Sequence, residues 1–167
     1  MLVGIQMADG AINVLFVCEG NSVRSVMAQA LLTRFGDARF HAFSAGLRPD
    51  GEVHPMTIET LEGSGLSIAG IEPKHVQEFL NPAAPSMDMV ISMSEGATAT
   101  LANWPGHPLT AYWRITDPIS ESSGDPGQKF AFHRAFRELE NRIRLLVLVN
   151  QHKRRDVPAE PRQLHSA

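Results

Sequence analysis

The sequence predicts an α/β fold built on a parallel sheet, and three observations carry that expectation. Ile12-Asn-Val-Leu-Phe-Val17 is a short apolar, β-branched run of the kind buried on both faces of a sheet. A helical pattern follows it, with Met27, Leu31 and Phe35 at i, i+4 and i+8. The alternation of strand and helix signals then repeats along the chain, as parallel strands with right-handed crossovers require.

The elements follow in order. Gly36 closes the first helix, and Arg39 to Ala45 reads as a second strand. Pro55 suits the first turn of a short helix over Pro55 to Leu61, which Gly63 and Gly65 terminate. Met87 to Ser92 is a third strand, with a helix from Glu95 to Leu101 after it, and Leu109 to Tyr112 is a short fourth. Asp125-Pro126 is an N-cap and N1 pair. Beyond it Phe132, Phe136, Leu139, Ile143 and Leu146 form one face of a long amphipathic helix. Residues 11–150 are expected to make one domain, 1–10 a flexible N-terminal segment and 151–167 a disordered polar tail.

Composition excludes several function classes. The 167 residues carry a net charge of −3, which argues against a general nucleic-acid surface. No apolar run has the length to span a bilayer, and residues 1–10 lack a signal-peptide pattern, so no membrane and a cytoplasmic location are the expectations. Seven histidines show no paired ligand spacing, and no metal is expected. His54 and His75 read as surface or capping residues, Trp104 and Trp113 as packing on the pocket side of the sheet, and Met87, Met89 and Met93 as core filling. The single cysteine excludes an internal disulfide.

A lone cysteine is ordinarily a small buried hydrophobe. The neighbours of Cys18 point elsewhere. It ends the first strand, where α/β sheets bind ligands, and Cys18-Glu-Gly-Asn-Ser-Val-Arg-Ser25 leads into a helix. Backbone N–H groups at a helix start favour an anion, and Gly20 and Asn21 tolerate the unusual backbone such a loop needs. The oxyanion-binding loop is therefore Glu19, Gly20, Asn21, Ser22, Val23 and Arg24. A thiolate is favoured in the same field, and it is the nucleophile. Arg24 offers a planar fork for two oxygens of a tetrahedral anion, and Ser25 can donate a hydrogen bond to the Cys18 sulfur. Glu19 should rim the pocket and repel acidic peptides; as a solvated loop charge it would do little.

The loop resembles the C-x-G-N-x-x-R-S signature of the low-molecular-weight protein tyrosine phosphatase superfamily, which includes thioredoxin-type arsenate reductases. Ser44-Ala45-Gly46 and Asp117-Pro118 are similar to that superfamily's S-A-G and late D-P. The likeness runs from Ile12 to Val149. It implies a four-stranded parallel sheet with helices on both faces, flavodoxin-like in order. It also implies Asp117 as general acid, against the plainer role of an Asp-Pro turn starter. Asn21 is expected to hold the loop's shape with Ser44 as its partner. Many relatives place His or Asn where Gly70 stands, so one brace of that network is expected to be missing or replaced.

Two activities start alike, with Cys18 attacking a tetrahedral oxyanion such as phosphate or arsenate. A phosphatase hydrolyses the phosphocysteine with water; an arsenate reductase needs a thiol. Phosphatases of this type usually follow D-P with two aromatics, whereas Ile119-Ser120 stand here. Tyr112-Trp113-Arg114-Ile115-Thr116-Asp117-Pro118 instead resembles the W-x-x-x-D-P of the reductases. The two further cysteines of thioredoxin-coupled reductases are replaced by Ser94 and Leu101. The expected function is thus arsenate reduction with an external thiol, glutathione with glutaredoxin or mycothiol, and no tightly bound cofactor. Phosphate monoester hydrolysis is the alternative. A non-catalytic module binding phosphate or a phosphoprotein is the third reading, but binding alone needs neither Cys18 nor Asp117. A phosphoprotein and a thiol-transfer protein are the candidate macromolecular partners.

Overall fold

The computed structural model describes residues 10–121 and 124–153. Four parallel strands, β1 (Ile12–Cys18), β2 (Phe40–Gly46), β3 (Met89–Ser92) and β4 (Leu109–Tyr112), form one sheet in the order β2-β1-β3-β4. The helices are α1 (Arg24–Gly36), α2 (Pro55–Gly63), α3 (Glu95–Thr100) and α4 (Asp125–Lys153).

The central strand explains the two-sided core. Val14, Phe16 and Cys18 face a cluster made with α1, α2 and α4, including Met27, Leu31, Leu61, Phe132 and Leu139. Leu15 and Val17 face the other cluster, with Val76, Ala97, Leu101 and Trp104. Val14 to Val17 are fully buried, and each such side chain contributes roughly 1.5–3 kcal/mol through removal from water. The sheet order reverses between β1 and β3, so the crevice for a ligand lies at their carboxyl ends.

Several boundaries differ from the sequence expectation. β3 begins at Met89 rather than Met87, because the Asp88 carboxylate accepts the Asn13 N–H (2.8 Å), which a longer ladder would give to a backbone carbonyl. α3 ends at Thr100, and Leu101–Asn103 tightens into a 3-10 turn. Further 3-10 turns at Asp37–Arg39 and Val76–Leu80 are too short to show a period. α4 continues through Lys153, three residues past the expected domain end. The rest of the 151–167 segment, and residues 1–9, lie outside the described residues. The two tryptophans pack on opposite faces: Trp104 lies in the Leu15 cluster, whereas Trp113 packs on Phe16 in the other. No described helix is long and apolar enough to cross a membrane.

Candidate active site

Cys18 ends β1 and α1 begins at Arg24, so residues 19–23 form the connecting loop. The chain that leaves β2 wraps this loop from outside. Leu47 N–H donates to the Cys18 carbonyl (3.1 Å), Arg48 N–H to Glu19 (2.9 Å), Asp50 N–H to Gly20 (2.9 Å) and His54 N–H to Ser22 (3.1 Å). The Met27 N–H takes the Val23 carbonyl (2.9 Å). In a planar trans peptide the N–H points opposite to the C=O. The N–H groups of Glu19, Gly20, Asn21 and Val23 therefore turn away from the wrapping chain, and the Arg24 N–H points out of the start of α1. Among the described residues, none of these donors meets a protein acceptor. Such an array of unpartnered donors, with the dipole at the start of α1, has the chemistry to receive an anion.

The loop is held by Asn21, which sits at φ +48° and is fully buried. Its carboxamide uses both ends. Oδ1 accepts the Lys74 backbone N–H (2.8 Å), while Nδ2 donates to Ser25 Oγ (2.9 Å) and Ser44 Oγ (2.9 Å). Ser44 passes its own proton to Gln29 Oε1 (2.6 Å). Ser25 Oγ already accepts from Asn21, so its hydrogen is free for Cys18 Sγ, 3.0 Å away. The order of donors around the network thus leaves Cys18 as the acceptor at its end. Burial holds the Lys74 ammonium below its ordinary range, with Glu78 and Glu72 opposing that shift.

The structure places Ser44 and Ser25 in this network and Gly70 outside it, and the brace expected to be missing or replaced there is replaced. Gly70 occupies an exposed turn at φ +78° with nothing within 4 Å of where its Cβ would be. The brace on Asn21 comes from the Lys74 amide. Gln29 and that amide were missed: a backbone N–H has no residue-type signature, and Gln29 reads as an ordinary helix residue.

Gly46 has a steric duty. A Cβ there would lie 2.8 Å from the Glu19 carbonyl oxygen and 2.9 Å from the Asn21 nitrogen, both backbone atoms of the loop. Gly46→Ala is expected to lower stability by about 1–3 kcal/mol through overpacking and to cut activity more than tenfold, since the loop itself must shift. Thermal unfolding and steady-state kinetics on one preparation check this; an unchanged turnover would show that the loop does not rest on Gly46.

Arg24 is buried at 7% exposure. Nη1 donates to the Met93 (2.9 Å) and Ile115 (3.0 Å) carbonyls, and Nη2 to Asp117 Oδ2 (3.0 Å). Three of its five N–H groups are used, which leaves Nε–H and one Nη2 hydrogen for an anion. The guanidinium also ties β3 and the segment after β4 to the loop. Asp117 Oδ1 accepts the Ile119 N–H (3.0 Å), so the Asp-Pro turn does form, and it presents the other oxygen to Arg24. Ser22 donates to the Asp50 carboxylate, and Glu19 pairs with Arg48 at the rim. Glu19 is therefore neither a bare repulsive charge nor a free one. Cys18, at 3% exposure, lies at the base of this arrangement. Among the described residues no group of three His, Cys, Asp or Glu is placed to hold a metal.

This geometry is what a cysteine-based oxyanion enzyme uses, and the chain matches a family model over residues 13–158, that of low molecular weight phosphotyrosine protein phosphatase. The chain belongs to this family. Within it, a glutaredoxin arsenate reductase of Synechocystis sp. is 30% identical over 109 residues, covering 65% of this chain and 80% of the relative. A solved structure of an arsenate reductase in its phosphate-binding state superimposes with TM-score 0.65 at 25% identity, over 83% of this chain and 98% of that one. An arginine phosphatase with a phosphorylated active-site serine superimposes with TM-score 0.68 at 20% identity, over 86% of this chain and 99% of that one, a likeness of fold. The four-stranded parallel sheet is that of the family.

Proposed function

We propose that this member of the low molecular weight phosphatase family reduces arsenate to arsenite at Cys18 with a thiol supplied by another molecule. The observation that carries it is the cradle of unpartnered N–H groups beside a buried cysteine whose Sγ meets the Ser25 hydroxyl. The resemblance to reductases supports arsenate as the oxyanion. So does the wall after Asp117: Ile119 is 43% exposed and Ser120 follows, so no ring stands there to stack on a phenyl group.

The Cys18 thiolate attacks arsenic while the loop N–H groups and Arg24 hold the oxygens. The protonated form of Asp117 gives its proton to one arsenic-bound hydroxyl, which leaves as water, and the carboxylate that results is the form paired with Arg24; the product is a cysteine–arsenate adduct. A thiol then attacks Sγ. The S–As bond breaks with its electron pair on arsenic, arsenite departs, and a mixed disulfide stays on Cys18. A second thiol restores Cys18 and leaves as disulfide. With one cysteine in the chain, both reducing thiols come from outside. Glutathione with glutaredoxin and mycothiol are the donors to test.

The lone cysteine equally suits hydrolysis, in which water resolves a phosphocysteine. Two assays on one preparation separate the readings: arsenate-dependent oxidation of glutathione–glutaredoxin or mycothiol, and release of nitrophenol from an aryl phosphate. Strong hydrolysis without thiol-dependent arsenate turnover would sink the reductase reading. Asp117→Asn is expected to slow aryl phosphate hydrolysis by about 10²–10⁴-fold for poor leaving groups and far less for good ones. An equal loss across leaving groups would remove Asp117 as the acid.

A further inference from the structure

The segment that wraps the active-site loop lays one carboxylate directly on it. Asp50 reaches the loop twice: its N–H donates to the Gly20 carbonyl (2.9 Å), and its side chain accepts the Ser22 hydroxyl hydrogen. Ser22 is 4% exposed, so its hydroxyl depends on a protein acceptor. Gly20 makes room for the same contact. A Cβ there would lie 2.7 Å from Asp50 Cγ and 2.9 Å from Oδ1, so the carboxylate occupies the place of a side chain at residue 20. The other acid of this region, Glu19, is drawn aside by Arg48. Asp50 forms no ion pair among the described residues.

An unpaired negative charge beside donors arranged for an anion has two opposed effects. A hydrogen bond to an ionised acceptor is about twice as strong as one to a neutral acceptor, so the carboxylate holds Ser22 more firmly than an amide oxygen would. The same charge repels any oxyanion seated on the loop. We propose that Asp50 is a positioning residue that anchors the loop through Gly20 and Ser22, and that its charge limits the affinity of the loop for oxyanions. The repulsion keeps the site from being held by an anion that does not react. This inference rests on the oxyanion role of the loop given above, and not on whether arsenate reduction or phosphate ester hydrolysis follows.

Isothermal titration of the full chain with inorganic phosphate separates the two effects. Asp50→Asn keeps an acceptor for Ser22 and removes the charge. It is expected to bind phosphate roughly two- to fivefold more tightly than wild type at low salt, the range of an exposed charge interaction. That gain is expected to shrink in about 0.5 M sodium chloride, which screens the charge. Asp50→Ala removes charge and acceptor together, and is expected to bind at least about fivefold more weakly than Asp50→Asn. Ser22→Ala cuts the same bond from the loop side with the charge kept. It is expected to bind more weakly than wild type, and it serves in place of Asp50→Ala if that variant does not fold. A purely structural Asp50 would give no salt-dependent gain in the Asn variant. The proposal is overturned if Asp50→Asn binds phosphate no more tightly than wild type or if its gain is unchanged at high salt. It is also overturned if Asp50→Ala binds as Asp50→Asn does, or Ser22→Ala as wild type does. Failure of the wild-type chain to bind phosphate is a separate result, which would remove the oxyanion reading of the loop and this inference with it.

Discussion

Cys18→Ser is expected to abolish both arsenate-dependent thiol oxidation and aryl phosphate hydrolysis, a loss of at least about 10⁴-fold. A hydroxyl in place of the thiol keeps a hydrogen-bonding contact with Ser25 Oγ, now 3.0 Å from Sγ, so the network around Asn21 persists. Phosphate binding is expected to survive, because the cradle is made of backbone N–H groups and Arg24 rather than of sulfur. Even an oxygen ester of arsenate would stall, since no sulfur is present for an external thiol to attack. Isothermal titration with phosphate beside the two activity assays gives the check. Retained turnover would remove Cys18 as the nucleophile; loss of phosphate binding would mean the variant had disturbed the loop.

Arg24→Lys is expected to have the second-largest effect, lowering kcat/KM by about 10²–10³-fold. The ammonium is a point charge and cannot reproduce a fork that bonds two carbonyls, a carboxylate and an anion together. The Met93 and Ile115 carbonyls lose charged donors at a buried site, and each unsatisfied acceptor costs about 1–3 kcal/mol. Stability and activity are therefore expected to fall together, and Asp117 loses its anchor as well. Denaturant unfolding and kinetics read both. A variant with native stability and wild-type kcat/KM would show that Arg24 neither braces the site nor meets the substrate.

The elements that sequence reading located are those with strong local signals. β1 has to be apolar on both faces because it is the strand that both core clusters share. The helical spacing of Phe132, Phe136, Leu139 and Ile143 is the buried stripe of α4. Cys18, Asn21, Arg24 and Ser25 were legible because their order along the chain is also their order in space. The Asn21–Ser44 contact, spanning 23 residues, was expected beside the resemblance, whereas the Arg24–Asp117 ion pair, spanning 93, was not expected. What was not legible lies in backbone geometry and long-range placement. The outward carbonyls of the loop depend on a segment 29 or more residues downstream, and the Lys74 amide is indifferent to residue type. Whether the brace absent at Gly70 was missing or replaced stayed open for the same reason: position along the chain does not tell which backbone group a turn brings to Asn21.

The wrapping of the loop carbonyls has a thermodynamic consequence. The donors for the anion are oriented by bonds that exist before any anion arrives, so binding requires little ordering of the chain. Affinity can then be spent on displaced water and charge, and amide exchange in residues 19–24 is expected to track the opening of the Leu47–His54 segment rather than occupancy of the site.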